Sequence, residues 1–178
     1  MQVHLRKHLS EEFNTMTFVI QARGKENLIC VRNGIAKATD LYRVHEAFTS
    51  LTDGFYKVLK ERKKRLVLEK IDDEKDLSFP DTEHIYPEEN ECKVVSVDLS
   101  GDNEGANTGL ILRNLAVLEK ENVFNADYFN KFPAGRYYFR TKGSGKPVAF
   151  TNSRVWGCVM PVNIPIPEVT DGAHIGKP

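Results

Sequence analysis

Little in this 178-residue chain would force an unusual architecture. Its three cysteines, Cys30, Cys92 and Cys158, lie far apart and form no C-x-x-C pair. That excludes a paired-cysteine zinc or redox site and fits free thiols in a reducing, cytoplasmic compartment. No run of about 18 apolar residues occurs, and residues 1–10 lack the apolar centre of a signal peptide, so neither a membrane span nor secretion is expected. Neither sign of charge predominates, because 25 lysines and arginines balance 25 aspartates and glutamates. A nucleic-acid or lipid partner would therefore need a local patch, not a global field. There is no internal repeat and no linker-like segment.

What is present is ordinary globular composition, 40% hydrophobic and 28% charged, in a chain long enough for one core without metals or disulfides. Residues 1–167 read as one domain. Residues 168–178 follow Pro161, Pro165 and Pro167 and read as an exposed tail. Strand-like runs at 3–9, 15–22 and 27–32 open the chain, the last two joined by a hairpin through Arg23-Gly24-Lys25-Glu26. Leu41, Val44, Phe48, Leu51, Phe55 and Val58 then recur at steps of three and four, predicting a long helix over 40–65 with Thr39 or Asp40 as its cap. Gly54 inside that pattern costs a helix about 1 kcal/mol relative to alanine. An acidic, proline-punctuated excursion over 72–91 precedes a strand at 93–99, a loop at 101–109 and a less regular second helix at 110–121. Strands at 148–150 and 155–160 close the domain. The expected fold class is α+β, a mainly antiparallel sheet with the 40–65 helix packed on it.

Aromatic residues concentrate in one place: Phe124, Tyr128, Phe129, Phe132, Tyr137, Tyr138 and Phe139 are seven of 17 in the chain. Two strand-like arms flank Phe132-Pro133-Ala134-Gly135. Alternation along a strand puts Tyr137 and Phe139 on one side and Tyr138 on the other. With Tyr128 and Trp156 they can wall a pocket for a planar, cationic guest, which an acid such as Glu119 or Glu121 would balance. Filling a core is the ordinary alternative use of such residues.

The segment Phe132-Pro133-Ala134-Gly135-Arg136-Tyr137-Tyr138-Phe139 resembles the turn and central strand of effector-binding domains from multidrug-responsive MerR-type transcription regulators and their GyrI-like relatives. The resemblance covers about eight residues. It implies an α+β domain that binds bulky, often cationic aromatic compounds, with Pro133 and Gly135 making the turn and Tyr137 facing the pocket. It also implies a non-enzymatic regulatory module without a cofactor. The chain departs from the family in lacking a second strand and helix unit after the turn and a DNA-binding helix-turn-helix before it.

Two rival readings stay open. Pro80-Asp81 followed by Glu91-Cys92-Lys93 has the residue order of a metal-dependent nuclease, in which Asp81 and Glu91 would hold a divalent ion and Lys93 would position water. A solvated acidic loop is the plainer account of the same residues. Lys60, Arg62, Lys63, Lys64 and Arg65 form the one concentrated basic patch, suited to a nucleic-acid or protein-binding accessory factor or to a dipole-favoured helix end. His4 and His8 lack a third metal ligand, His45 borders the helical stripe, and His84 and His174 stand beside no nucleophile motif. Asp98-x-Ser100-x-Asp102 lacks the glycine and final carboxylate of a calcium loop.

Overall fold

The computed structural model describes residues 2–6, 10–24, 27–62, 65–88, 90, 92–100 and 103–162. Among them a helix interrupts the strand-like opening. β1 (Gln2–Arg6) leads into α1 (Ser10–Ile20), and β2 (Leu28–Arg32), β3 (Ile35–Thr39) and β4 (Arg43–Phe48) follow as a meander. β5 (Gly54–Arg62) and β6 (Arg65–Lys70) form a hairpin. After residues 71–92 come β7 (Lys93–Leu99), α2 (Glu104–Leu118), β8 (Gly135–Thr141), β9 (Val148–Thr151) and β10 (Val155–Val159). All ten strands join one sheet in the order β1-β6-β5-β2-β3-β4-β10-β9-β8-β7, and every pairing is antiparallel.

The order contains a repeat that the residues do not advertise. A strand, a helix and three strands occur twice, as β1-α1-β2-β3-β4 and β7-α2-β8-β9-β10. The last strands of the two halves, β4 and β10, pair antiparallel at the centre of the sheet, with Glu46 opposite Trp156 and Val44 opposite Cys158. Equivalent strands running antiparallel relate the halves by an approximate twofold, broken by the β5–β6 hairpin, which lies between β1 and β2.

Both helices cover the same face. Phe18 of α1 stacks on His45 of β4 with ring centroids 4.0 Å apart. Ile111 and Leu115 of α2 share a core with Val97, Tyr137, Phe139 and Phe150 on the sheet. Burying this apolar layer at about 25 cal/mol per Å2 is the main force holding the helices down.

The expected α+β arrangement, one long helix on a sheet, is overturned. Residues 43–48 and 54–62 of the supposed helix are β4 and β5. Gly54 has φ +142° and Leu41 has φ +74°, neither of which a right-handed helix admits. The helix-like recurrence arises because β4 is covered on both faces, so Val44, His45, Glu46 and Ala47 are all buried and strand alternation is lost. Conversely, Thr15, Met16, Phe18, Val19 and Ile20, read as a strand, lie buried in α1. Tertiary burial there outweighs the poor helix propensity of Thr and Val. In place of the expected 23–26 hairpin, β2 turns into β3 through Asn33 and Gly34, whose φ values of 53° and 73° suit a tight strand-to-strand turn.

α2 begins earlier than the 110–121 reading because Asn103 caps it, its Oδ1 accepting from the Ala106 amide at 3.1 Å. Residues 71–88 run across the face opposite the helices and are pinned there. Glu74 accepts the Phe55 amide at 2.8 Å, and Cys158 Sγ donates to the Ile85 carbonyl at 3.6 Å. No helix among the described residues is long and apolar enough to cross a membrane. The expected tail at 168–178 lies outside the described residues.

Candidate functional site

Three features of the sheet remain once its helical face is filled: a polar junction at its centre, a groove beside it and two bare edges. At the junction Glu46 is only 4% exposed, yet its carboxylate is fully engaged. Trp156 Nε1 donates to Oε2 at 2.6 Å, Tyr86 Oη donates to Oε1 at 3.1 Å and Lys37 Nζ stands 3.4 Å from Oε1. A buried carboxylate needs such partners, because an unpaired one would neutralise or destabilise the fold. Burial, and secondarily the Glu46 charge, pushes the Tyr86 hydroxyl well above its ordinary range, so it stays a donor. The cluster ties β3, β4 and β10 to the 71–88 crossing. Phe48 packs on Trp156 at 5.0 Å and is itself largely exposed.

A groove of about 800 Å3 opens where the 133–135 turn, the β9–β10 turn and α1 meet. Its walls include Asn14, Arg136, Tyr138, Asn152, Ser153 and Arg154, and no acidic residue lines it among the described residues. Asn152 Oδ1 accepts the Arg154 and Val155 amides, both at 2.8 Å, fixing the turn and leaving its side-chain amide as a donor. Tyr138 is 47% exposed. Arg136 makes a bidentate pair with Asp98 at 2.7 and 3.1 Å, and the guanidinium holds that carboxyl below its usual range.

The edges are β1 and β7. Each has one neighbour among the described residues, so one row of backbone N–H and C=O groups on each is not used by the described sheet. Val94 of β7 is 60% exposed.

The residues expected to wall a small-molecule pocket do not converge. Tyr137 and Phe139 are fully buried. Their rings meet Phe132 at 5.3 and 6.4 Å, and Tyr137 Oη donates to the Pro133 carbonyl at 3.0 Å. Tyr128 lies instead under the Arg43 guanidinium at 4.8 Å, and Trp156 faces the opposite side of the sheet. The protein's own side chains occupy the ring faces that a guest would need, which corrects the small-molecule reading. Glu119, suggested as a counter-charge, pairs with Lys93 at 3.0 Å.

The nuclease residues are equally dispersed. Asp81 is exposed and holds His84 at 3.2 Å, Lys93 is engaged with Glu119, and Glu91 lies outside the described residues. No group of three histidines, cysteines or acids among the described residues is placed to hold a metal. The described part of the basic run lies at the end of β5 and the start of β6, not at a helix end: Lys60 and Arg65 are exposed and Arg62 pairs with Arg65 across the strands. Lys63 and Lys64 lie outside the described residues, as do His8 and His174.

Sequence reasoning passed over Tyr138 and Arg136. Their signal was the alternation that placed Tyr137 and Phe139 together, since the same alternation turns Arg136 and Tyr138 to the other face. His45, taken as a boundary residue, is fully buried. Its Nδ1 lies 2.6 Å from the Phe18 carbonyl, and burial lowers its pKa from 6.5 to about 3.

No family model matches this chain, and no curated protein matches it. Solved structures do. The β subunit of DNA polymerase III from Thermotoga maritima matches at 13% identity with a TM-score of 0.52 over 92% of this chain and 66% of that one. The Caulobacter crescentus polymerase III β protein matches at 13% identity and a TM-score of 0.55, over 92% and 66%. The DNA polymerase sliding clamp of Pseudomonas aeruginosa matches at 12% identity and 0.53, over 92% and 67%. The chain thus spans about two thirds of the length of these proteins. The likeness is one of fold: a sliding-clamp-like sheet, in place of an α+β effector domain. The eight residues that resemble effector-binding domains form the turn and β8 of that sheet.

Proposed function

We propose that this chain is a clamp-type assembly module that associates with DNA by joining further copies or domains of the same fold, edge to edge, into a closed ring. One observation carries this reading: a single sheet with a helical layer on one face ends in two bare strands, β1 and β7, at opposite sides. Pairing the β7 edge of one copy with the β1 edge of the next continues the sheet without altering either fold. Such head-to-tail contacts close into a ring when the rotation between neighbours permits.

DNA enters the proposal from the proteins that share the fold, which are named as DNA polymerase subunits and sliding clamps. The balanced charge of this chain fits that role, because a closed ring stays on DNA by topology and needs no strong phosphate attraction. An accessory factor of this kind replaces the effector-binding and transcription-regulation reading.

Sedimentation equilibrium tests the assembly. The expected mass is a small whole multiple of 20.2 kDa, reduced toward one chain by Val94→Lys, which puts a charge on the β7 edge. A wild-type protein that stays monomeric at all concentrations contradicts the reading.

A further inference from the structure

Charge is spread unevenly over this neutral chain. Residues 54–70, which span the β5–β6 hairpin, hold seven of its 25 lysines and arginines and only two of its 25 acids. A bulge between Val58 and Lys60 decides how the described part of that charge is presented. Val58, Leu66 and Leu68 are buried in the core beneath the helices, so Lys57, opposite Glu69, points to the other face of the sheet. In a regular strand Lys60 would then turn toward the helices. The bulge takes up Leu59 and returns Lys60 to the face of Lys57, opposite Val67, while Glu61 goes to the helical side and stands 3.9 Å from Lys131. Arg65, two residues before Val67 on β6, shares the outer face. All three cations are exposed, and none makes an ion pair among the described residues. Glu69 is the hairpin's one acid on that face. The register also sets Arg6 of β1, Arg65 of β6 and Arg62 of β5 side by side. Lysines on a strand commonly guard an open sheet edge, but here β5 is paired to β6 and β2, and β6 to β5 and β1.

We propose that the outer face of this hairpin is a docking strip for duplex nucleic acid, with Lys57, Lys60 and Arg65 on its backbone phosphates. Cations without protein partners supply the sequence-independent attraction that dominates such binding. The hairpin's two aromatic residues, Phe55 and Tyr56, are buried, so no ring is offered to stack an unpaired base, which favours a duplex over a single strand. An interface with an acidic protein is built round a buried apolar centre, and only Leu59 and Val67 could contribute one here.

The inference rests on the DNA-associated reading for the identity of the partner and adds a step to it. A closed ring stays on DNA without phosphate contacts, whereas reaching the duplex is an encounter that a local positive strip accelerates. Fluorescence anisotropy with a labelled linear duplex of about 20 base pairs tests the strip by itself, because a ring is not trapped on a short open-ended DNA. Saturable binding is expected at about 50 mM salt, weakening steeply as salt rises. Each of Lys57→Ala, Lys60→Ala and Arg65→Ala should make the slope of log K against log salt shallower by about 0.9, the value of one phosphate contact. The triple variant should bind at least about tenfold more weakly, and two duplexes of unrelated sequence should bind alike. Lys120→Ala, at an exposed lysine beyond α2, should leave the slope unchanged. Circular dichroism melting checks that each variant is folded.

Absence of saturable binding overturns the proposal, as does a slope that the three substitutions leave unchanged or tighter binding of a single strand of the same length. Displacement by an equal charge of polyglutamate as readily as by unlabelled duplex overturns it too, assigning the strip to an acidic protein. Sedimentation equilibrium separates these results from the assembly reading. A protein that forms the ring but ignores the duplex loses the strip and keeps the ring, and a monomer whose duplex binding fades with the three substitutions keeps the strip and loses the ring.

Discussion

Trp156 and Glu46 face each other across the β4–β10 seam and are joined by a 2.6 Å hydrogen bond from the indole to the carboxylate. This is the point at which the two halves of the sheet meet. Trp156 is the only tryptophan in the chain, so its fluorescence reports directly on the seam. Removing the donor with Trp156→Phe leaves a buried carboxylate one partner short, at a cost of about 1.5–3 kcal/mol. Urea unfolding followed by circular dichroism should show that loss as a lower midpoint with an unchanged slope. In Glu46→Gln, which keeps an acceptor, the loss should be smaller.

His45 makes stability depend on pH. Its folded pKa of about 3 lies below the ordinary 6.5 because burial disfavours the charged ring. The unfolded chain therefore binds the extra proton between those values. The stabilising contribution is fully present above pH 6.5 and declines as pH falls toward 3, approaching about 1.4 kcal/mol per pH unit. His45→Phe keeps a ring against Phe18 and removes the titration. Denaturation midpoints of the two proteins compared from pH 7 to pH 5 should fall more steeply for the histidine form; parallel curves would show that His45 is not the titrating group.

Gly157 occupies a place where no side chain fits. A Cβ there would collide with the Val44 carbonyl oxygen and lie 2.5 Å from Phe150 Cζ. Because Gly157 sits in β10 opposite His45 of β4, any relief must open the seam. Gly157→Ala should lower stability by about 3 kcal/mol, read as a drop in melting temperature. A melting temperature within a degree or so of wild type would mean that the seam can shift at little cost.

Arg43 ties three elements that are remote in sequence. Its guanidinium lies over Tyr128, pairs with Asp40 at 3.1 Å and donates to the Asp127 carbonyl at 3.2 Å and to the Gln21 carbonyl. Arg43→Ala should cost about 3 kcal/mol. Arg43→Lys should recover little, since an ammonium cannot reach these partners with one planar fork. Full rescue by lysine would reduce the role of Arg43 to simple charge.

The part of this fold most plainly read from sequence is a strand covered on one face only. In β7, Val95, Val97 and Leu99 alternate with Ser96 and Asp98, and the strand lies where that alternation puts it. β9 and β10 fall within a residue of the closing pair expected at 148–150 and 155–160. The reading failed at β4 and at α1, where the local pattern points to the wrong element. β4 imitates a helix because α1 and the 71–88 crossing cover its two faces, and α1 imitates a strand because Thr15, Thr17, Val19 and Ile20 are β-branched. Asn33-Gly34 was a hairpin signal in plain view that the supposed turn at 23–26 displaced. The groove was half legible: the Pro-Ala-Gly turn drew notice, but toward Tyr137 and Phe139 inside the core and away from Tyr138 outside it. The seam was not legible at all, since Glu46 and Trp156 stand 110 residues apart.

Retention on circular DNA tests the clamp reading most directly. The protein is incubated with a nicked plasmid, raised to high salt to remove ordinary phosphate contacts and passed over a sizing column. A closed ring predicts protein eluting with the plasmid, and its loss from the plasmid fraction once a restriction enzyme makes the circle linear. Protein that elutes apart from the circle, or equally with circle and line, would contradict it.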